Sequence, residues 1–377
     1  MVELPRPERW DLAGKRVLVR VDFNVPVAPI DGRLEVTDDF RLRAALPLFR
    51  DLIARGAEVI AATHFGRPKG HVVEEYSVAP IRRRLAELAP EVELMENLRF
   101  HPGEEANDRA FGESLVAGVD YYINEAFGAS HRAHASIMIP PTLVPSAAGP
   151  NLAHEVETIL SLLSNPQRPF VAIVGGAKVA DKLGIVKVLV DKADTVIVGG
   201  GMAYTFEAAQ GRSIGSSLFN ADYLEECGRL LATGKVVIPL DSRGLADGDP
   251  VGPSGGASEP IDFGANIPDH HEGFDIGARS VALFEETIAR ARTILWNGPV
   301  GFFEDPRFLA GTAALARAVA TSSALSVVGG GDSVAALRQL GLEGEVSFVS
   351  TGGGASLELV EFGDLPGLRA LRESPFA

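Results

Sequence analysis

Apolar residues in this chain recur in short β-branched runs, separated by longer segments in which apolar positions lie three or four residues apart. The runs of the first half are RVLVRV, AEVIAAT, VELM and VDYYI, and those of the second half are FVAIVGG, TVIVGG, VVIPL, TILW, LSVVGG and VSFVS. Strands that alternate with helices are typical of parallel sheets covered by helices on both faces. The pattern therefore predicts an α/β fold.

One segment near the middle of the chain predicts a connection between two domains. Residues 151–164, NLAHEVETILSLLS, have apolar positions at helical spacing and lie between the turn-rich PPTLVPSAAGP and Asn165-Pro166. We expect a helix over 151–165 that joins two domains, 1–150 and 166–360. A chain of 377 residues is long enough for both domains to bury a core. The turn-rich stretch from Ser242 to Gly273 predicts a surface excursion rather than core.

The first run continues into an alternating stretch with one polar face. Residues 17–26, VLVRVDFNVP, read as a strand whose apolar face includes Val17, Val19, Val21, Phe23 and Val25. The other face would present Arg20, Asp22 and Asn24. Such a polar face indicates that this end of the strand meets a ligand rather than the core.

Composition and charge exclude several classes of protein. The net charge of -15 argues against general binding to nucleic acid or to anionic membranes, because no excess of cations is available to neutralise phosphates. The chain lacks a run of about 18 apolar residues, so we expect no membrane span. A single cysteine, Cys227, cannot form an internal disulfide, and MVELPRPERW does not resemble a secretory signal. We therefore expect a cytoplasmic protein.

Polar residues, most of them arginines and histidines, follow several of the predicted strands in the first half. These positions are Asp22 and Asn24 after the first run, then His64 and Arg67, then Arg99, then His131, Arg132 and His134, with Arg41 at a predicted helix start. Residues that follow parallel strands meet at one edge of the sheet. Any one arginine could instead form an ordinary surface ion pair. Together they predict a site for a small anionic substrate, since guanidinium groups bind phosphate and carboxylate in bidentate fashion. Metal binding by the histidines is disfavoured because no third ligand lies at a suitable spacing.

The second half repeats a strand, a glycine cluster and a helix four times, in VAIVGGAKVADKLG, TVIVGGGMAYTF, LSVVGGGDSVAAL and VSFVSTGGGASLEL. Helix N-termini at such turns favour anions, although glycine also simply permits tight turns. Lys178 and Lys182 would share a helix face if that helix begins near Ala177, an unfavourable placement that a polyphosphate ligand would offset and that Asp181 could also soften. Asp332 could bind a magnesium ion that bridges to a phosphate, or cap its helix.

Other phosphate-binding and kinase motifs are absent. The sequence has no G-x-x-x-x-G-K-[ST] and no G-x-G-x-x-G, which argues against a P-loop protein and weakens the case for a dinucleotide-dependent dehydrogenase. The DFG at residues 262–264 stands without the other protein-kinase motifs and is interpreted as a coincidence.

A known family carries these motifs in the same order. RVDFNVP, HFGRP, ENLRFH, AFGASHRAHAS, VGGAKVADK, GGGMAYTF, WNGPVGFFE, GGGDS and STGGGASLE resemble the motifs of the phosphoglycerate kinases over nearly the whole chain. The resemblance implies two doubly wound parallel-sheet domains that face each other across a cleft, joined by a helix, with a tail, 361–377, returning to the first domain. It also implies a monomeric glycolytic enzyme that exchanges a phosphoryl group between 1,3-bisphosphoglycerate and ADP, with Mg²⁺ bound to the nucleotide, by in-line transfer with hinge closure.

The resemblance also implies a role for particular residues. The phosphoglycerate would be bound by Asp22, Phe23, Asn24, Arg41, His64, Phe65, Gly66, Arg67, Arg99 and Arg132. The nucleotide would be bound by Gly176, Lys178, Lys182, Gly200, Gly201, Asn297, Glu304, Gly330, Gly331, Asp332 and Ser333, with Asp332 on magnesium. Arg41 and Lys178 would act on the transferring group.

The sequence departs from the family pattern in three places: Glu125 stands where the family usually has Asp, Phe302 replaces a smaller apolar residue, and the stretch 241–262 is divergent. Two alternatives remain at this point, a different small-molecule kinase, such as a carbamate or acetate kinase, and a non-catalytic anion-binding protein. The first would not need Asp22 and Asn24 beside five cationic residues. The second would be favoured by loss of the lysine pair or of Asp332, and all three are present.

Overall fold

The computed structural model describes residues 3–376, which form two compact units. The first unit ends at Leu160 and takes in the segment from Phe362 onwards, and the second runs from Ser161 to Glu361. The outer limits of the predicted domain and tail, residues 1 and 377, lie outside the described residues. Among the helices of the described part, none has the length and apolar character needed to cross a bilayer.

The first unit is built on a five-stranded sheet in the order β5-β4-β1-β6-β7, with every neighbouring pair parallel. A separate hairpin, β2 and β3, follows the first strand. The strands are β1 (Arg16–Arg20), β2 (Val27–Ile30), β3 (Arg33–Val36), β4 (Glu58–Ala62), β5 (Glu93–Leu94), β6 (Tyr121–Asn124) and β7 (Ser146–Ala148).

Six helices accompany these strands in the chain: α1 (Phe40–Ala54), α2 (Ala79–Leu88), α3 (Pro102–Glu105), α4 (Arg109–Leu115), α5 (Ala135–Met138) and α6 (Pro150–Ser164). The helix α1 shows how they pack: Leu42, Leu46, Phe49 and Leu52 lie at helical spacing and are buried in the core of the sheet. Burying each such side chain contributes about 1.5–3 kcal/mol.

The strand β1 is shorter than the alternating stretch predicted. It ends at Arg20, and its last four residues are buried on both faces because helices cover the sheet on each side. The alternation nevertheless continues beyond the strand, since Val21 and Phe23 are buried whereas Asp22 is half-buried and Asn24 is exposed. The predicted strand over 17–26 was therefore wrong in extent and right about the burial of its apolar side chains. Arg20, predicted on the polar face, is buried as well.

The second unit contains a six-stranded parallel sheet in the order β10-β9-β8-β14-β15-β16. The stretch interpreted as a surface excursion folds instead into a small antiparallel sheet in the order β12-β11-β13. The strands are β8 (Phe170–Val174), β9 (Thr195–Val198), β10 (Val236–Val237), β11 (Ser242–Ala246), β12 (Ile261–Phe263), β13 (His271–Ile276), β14 (Thr293–Asn297), β15 (Leu325–Gly329) and β16 (Phe348–Val349).

The helices of the second unit are α7 (Leu183–Lys192), α8 (Ala203–Ala209), α9 (Leu224–Leu231), α10 (Ala278–Ala289), α11 (Ala310–Thr321), α12 (Gly331–Gln339) and α13 (Gly354–Phe362). Carboxylates distant in sequence hold two of their N-termini. Asp241 accepts from the backbone N–H of Ser280 at 2.8 Å at the start of α10, and Asp275 accepts from that of Gly311 at 2.8 Å at the start of α11. The strand β13 and the residue that precedes β11 therefore orient two helices of this unit.

A last helix, α14 (Pro366–Arg372), packs within the first unit. The backbone N–H of Gly367 donates to the carbonyl of Ser130 at 2.9 Å, and the hydroxyl of Ser374 donates to that of Pro141 at 2.7 Å. Leu368 is fully buried. The prediction of an α/β fold with two parallel sheets is confirmed, and the boundary between the units falls within α6, between residues 160 and 161.

Candidate active site

The segment after β1 brings a carboxylate and an amide to the carboxyl edge of the first sheet. Asp22 forms an ion pair with Arg41, with 2.8 Å between Oδ2 and Nη1. Burial alone would raise the pKa of Asp22, but Arg41, His64 and Arg20 together hold it below its ordinary value. The carboxyl group is therefore ionised at neutral pH. Asn24 is exposed and accepts from the backbone N–H of Gly66 at 3.0 Å.

The loop after β4 is held rigidly by a buried asparagine. The amide of Asn97 exchanges two hydrogen bonds with the backbone of Phe65, at 3.1 and 2.6 Å, and also accepts from the backbone N–H of Arg99. Arg99 in turn donates to the carbonyl of Gly66 at 2.7 Å. Gly66 has φ +60°, and a Cβ there would lie 2.3 Å from the ring of Tyr76. This loop therefore presents its polar groups in one conformation.

Three arginines and three histidines form a cationic cluster in this unit, composed of Arg20, Arg99, Arg132, His64, His131 and His134. Burial, followed by the charges of Arg99, Arg20 and Arg132, lowers the pKa of His134 to about 4. Burial, followed by the charge of Arg132, also lowers the pKa of Arg99 to about 10. Cations that destabilise one another in this way are poised to bind an anion.

Two ring nitrogens in this cluster lack a hydrogen-bond partner among the described residues. They are Nδ1 of His131 and Nδ1 of His134, and both atoms are buried. The carboxylate of Glu104 lies 3.7 Å from the latter, beyond hydrogen-bonding distance. Buried polar atoms without partners are costly, so a ligand that hydrogen-bonds them would be favoured.

The remaining predicted residues of this site differ in exposure. Phe23 and Phe65 are buried in the core, so only their backbone atoms could contact a ligand. Arg67 is exposed and Arg132 is half-buried. The structure thus brings Arg41, Asp22 and Asn24 together by direct contact, and it joins Arg99 and Gly66 in the neighbouring loop.

The carboxyl edge of the second sheet is formed by closely packed glycine backbones. Gly200 has φ +70°, and a Cβ there would lie 2.8 Å from the backbone N and O of Gly176. Gly298 has φ +95°, and a Cβ there would lie 2.1 Å from the carbonyl of Gly175. Only glycine fits these positions, so the turns after β8, β9 and β14 present backbone rather than side chains.

The lysine pair does not lie on one helix face, which corrects the prediction from sequence. Residues Val179–Asp181 form a short 3₁₀ turn, and α7 begins only at Leu183, with Lys182 as its N-cap. Cations inside the first turn would oppose the helix dipole, and the chain places both lysines ahead of the helix instead. Lys182 donates to Oδ1 of Asn297 at 2.7 Å, and burial lowers its pKa to about 8 against the opposing charges of Asp332 and Asp181.

A cavity of about 340 Å³ opens beside Lys178 in this unit. Its lining includes Gly201 and Thr205 together with Leu218 and Phe219, whose side chains are about half exposed. An apolar wall beside a cation suits a flat aromatic group that carries negative charge at one end. Lys178 itself is exposed, so its ammonium group is available to such a ligand.

The turn after β15 leads directly into α12. Gly330, with φ +91°, is the N-cap, and the exposed Asp332 lies in the first turn after Gly331. The hydroxyl of Ser333 is buried and accepts from the backbone N–H of Gly298 at 2.5 Å, so it fastens two turns together. Glu304 is exposed at the end of its motif. Within residues 3–376 no cluster of three or more acidic, histidine or cysteine side chains could hold a metal.

The positions that depart from the family pattern have structural roles. Glu125 accepts from the backbone N–H groups of Asn151 at 3.1 Å and Leu152 at 3.4 Å, and so caps α6. Phe302 is half-buried, 6.4 Å from the ring of Phe274. The divergent stretch is held by Arg307, which lies outside it and donates to the carbonyl of Pro250 at 2.7 Å and to that of Ser258 at 3.0 Å. Arg307 thereby ties the loop to the chain after β14.

Residues that sequence reasoning left out of the site also contribute to it. Arg20, the last residue of β1, contacts the ring of His64, and it is linked through Ser136 to the buried carboxylate of Glu104. The polar face predicted for the first strand was the one available signal. It included Arg20 but gave no indication of Ser136 or Glu104.

Comparisons with known proteins agree with this architecture. The family model for phosphoglycerate kinase matches residues 8–95 and 89–362. A phosphoglycerate kinase of Rubrobacter xylanophilus is 48% identical, with 96% of this chain and 97% of the relative covered, and one of Synechococcus elongatus is 44% identical, with 97% of each covered. The solved structure of phosphoglycerate kinase from Coxiella burnetii superimposes with a TM-score of 0.85 at 36% identity, covering 97% of this chain and 98% of that one.

The family model spans well over half of the chain, and the relatives match it over nearly their whole length. The resemblance seen in the motifs is thereby confirmed. The chain belongs to the phosphoglycerate kinase family.

Proposed function

We propose that this protein catalyses the reversible, magnesium-dependent transfer of a phosphoryl group between 1,3-bisphosphoglycerate and ADP, giving 3-phosphoglycerate and ATP in glycolysis and gluconeogenesis. Family membership supports kinase chemistry on a phosphoglycerate. The observation that carries the choice of acceptor is the cationic cluster, in which burial and neighbouring charges lower the pKa of Arg99 and of His134. Two buried ring nitrogens of this cluster also lack a partner among the described residues. A proposed location in the cytoplasm and a monomeric state follow the predictions from sequence.

In this proposal the first unit binds the phosphoglycerate. Arg99, Arg132 and His64 would bind its phosphate and carboxylate, with Arg67 at the exposed edge, because guanidinium groups pair with such oxygens in bidentate fashion. Asp22 and Asn24 would bind its hydroxyl group, which needs both an acceptor and a donor. The backbone of the loop around Gly66 would complete the site.

The second unit would bind the nucleotide. The adenine would enter the cavity beside Gly201, and the phosphates would lie along Lys178, Lys182 and the glycine turns, including Gly176, Gly200, Gly330 and Gly331. Glu304 would contact the ribose. Asp332 is a single exposed carboxylate, which fits a magnesium ion that takes its other ligands from nucleotide phosphates and water. Such an ion neutralises charge on the phosphates when bound.

Catalysis of this transfer requires positioning and charge stabilisation rather than a nucleophilic side chain. Arg41 and Lys178 would stabilise the charge on the transferring phosphoryl group. Arg41 is held beside the acceptor site by Asp22, and the exposed Lys178 lines the nucleotide cavity. Direct in-line transfer, with closure of the two units about α6, completes the proposal.

The test is phosphoryl transfer from Mg-ATP to 3-phosphoglycerate by the purified protein, with hydroxylamine to trap the acyl phosphate. We expect product that disappears when magnesium is chelated, and no product with acetate or carbamate as acceptor. Transfer to acetate or carbamate in preference would identify a different small-molecule kinase. Binding of 3-phosphoglycerate without transfer under any condition would contradict the kinase assignment.

A further inference from the structure

A buried chain of hydrogen bonds connects an acidic residue of α3 to a histidine of the cationic cluster. The carboxylate of Glu104 accepts from both the hydroxyl of Ser136, at 2.6 Å, and its backbone N–H, at 2.9 Å. That hydroxyl accepts from Nε of Arg20 at 2.9 Å, and Nη2 of Arg20 lies 3.2 Å from Nδ1 of His64. All four residues are more than nine-tenths buried.

The charges at the two ends of these hydrogen bonds, on Glu104 and Arg20, balance one another. Arg20 is 1% exposed and therefore requires a counter-charge inside the protein. Glu104 is fully buried and reaches Arg20 through a single hydroxyl group. Because Ser136 is held at both its backbone and its side chain, the guanidinium of Arg20 has a defined position.

The contact between Arg20 and His64 has only one chemically consistent form. A guanidinium group has five N–H donors and no acceptor. Nδ1 of His64 must therefore accept, which means that it carries no proton. Burial and the charges of Arg20, Arg99 and Arg132 lower the pKa of His64 well below its ordinary value against the opposing charge of Asp22, so the ring is neutral near pH 7.

We propose that Glu104, Ser136 and Arg20 are positioning residues that hold His64 as the neutral tautomer with its proton on Nε2. A neutral imidazole can present either a lone pair or an N–H group from a given nitrogen. An anionic oxygen requires the N–H group, and the lone pair would repel it. The buried chain therefore ensures that His64 offers its donor at Nε2 without carrying a charge. The inference rests on the proposed function only for the identity of the anion, 3-phosphoglycerate.

The tautomer can be measured without substrate or catalysis. Two-bond proton–nitrogen correlation NMR on protein labelled with ¹⁵N at its histidines separates the two tautomers, and a His64→Gln variant assigns the signals of this ring. We expect Nδ1 of His64 to show the shift of an unprotonated nitrogen at pH 7 and Nε2 that of a protonated one. A proton on Nδ1 in the wild-type protein would overturn the inference, whatever the variants show.

Ser136→Ala tests whether the chain, rather than burial, sets the tautomer. The variant removes the link between Arg20 and Glu104 and leaves both charges in place. We expect a mixture of His64 tautomers in this variant. The KM for 3-phosphoglycerate should rise about tenfold with kcat nearly unchanged, because the variant loses a residue that orients a substrate-binding side chain and not one that touches the reacting atoms. Ser114→Ala, which removes an exposed serine hydroxyl from α4, is the matched control and should behave as wild type.

The outcomes separate this inference from the proposed function. A wild-type tautomer and a wild-type KM in folded Ser136→Ala protein would overturn the role proposed for the buried hydrogen bonds, even if the protein is an active kinase. A protein without kinase activity that shows the expected tautomer and its loss in Ser136→Ala would overturn the proposed function and support the inference.

Discussion

The buried Lys182 makes nucleotide affinity depend on pH in the alkaline range. Its pKa is about 8 because burial disfavours the charged form, more than Asp332 and Asp181 favour it. Phosphates bound beside the ammonium group would stabilise its charge and raise its pKa. At a pKa of about 8, roughly nine-tenths of the free protein carries the proton at pH 7 and about one-tenth at pH 9. Affinity for Mg-ADP should therefore fall about tenfold between these values, or about 1.4 kcal/mol.

Isothermal titration of Mg-ADP from pH 7 to pH 9, in two buffers with different ionisation enthalpies, measures both the affinity and the proton taken up. Lys182→Arg should flatten the dependence to less than about twofold, because a guanidinium stays charged throughout this range. Lys192→Arg, at an exposed lysine near the end of α7, is the matched control and should keep the full decline. A constant wild-type affinity from pH 7 to pH 9, or an equal decline in Lys182→Arg, would show that the charge of Lys182 does not control nucleotide binding.

Three further predictions concern the transferring group, a glycine turn and the loop of residues 250–258. Arg41→Ala and Lys178→Ala should each lower kcat by about 100-fold or more in steady-state assays, with circular dichroism unchanged, and wild-type turnover would contradict the roles proposed. Gly200→Ala should destabilise the protein by about 2 kcal/mol or more in urea unfolding, because a Cβ there meets a facing backbone at 2.8 Å. Gly211→Ala, with φ +80° and open space, should cost less, and equal losses would show that φ strain alone decides. Arg307→Ala should hasten limited proteolysis within residues 250–258, and an unchanged cleavage rate would show that other contacts hold this loop.

The parallel sheets could be predicted from the sequence because their strands are buried on both faces and therefore appear as dense β-branched runs. Strands without that composition were missed. β7 is only Ser-Ala-Ala, and β11 holds one large apolar residue in SRGLA, so neither carries a periodic signal. The start of α7 was also placed too early. The apolar spacing there continues through the short 3₁₀ turn, and only the unfavourable cations indicated that the helix begins later.

The convergence of polar and cationic residues at one edge of the first sheet could be predicted, because parallel topology brings the residues after each strand to a common edge. The buried series of hydrogen bonds that runs from Glu104 to His64 behind this edge could not be predicted. Glu104 belongs to an acidic stretch, PGEE, that resembles an exposed helix start, yet its side chain is fully buried. Its partner Ser136 lies 32 residues away, and that serine is 116 residues from Arg20. Contacts at such separations depend on packing, which no local pattern in one sequence reports.

The placement of α14 has a consequence for the order in which the chain can fold during synthesis. The second unit is one continuous stretch, whereas the first unit buries Leu368 and Leu371 from its last helix and bonds Gly367 to Ser130. A ribosome releases the chain from its N-terminus, and domains generally fold as units. The part of the chain made first therefore acquires its final contacts last, after the whole second unit has emerged and can already be folded.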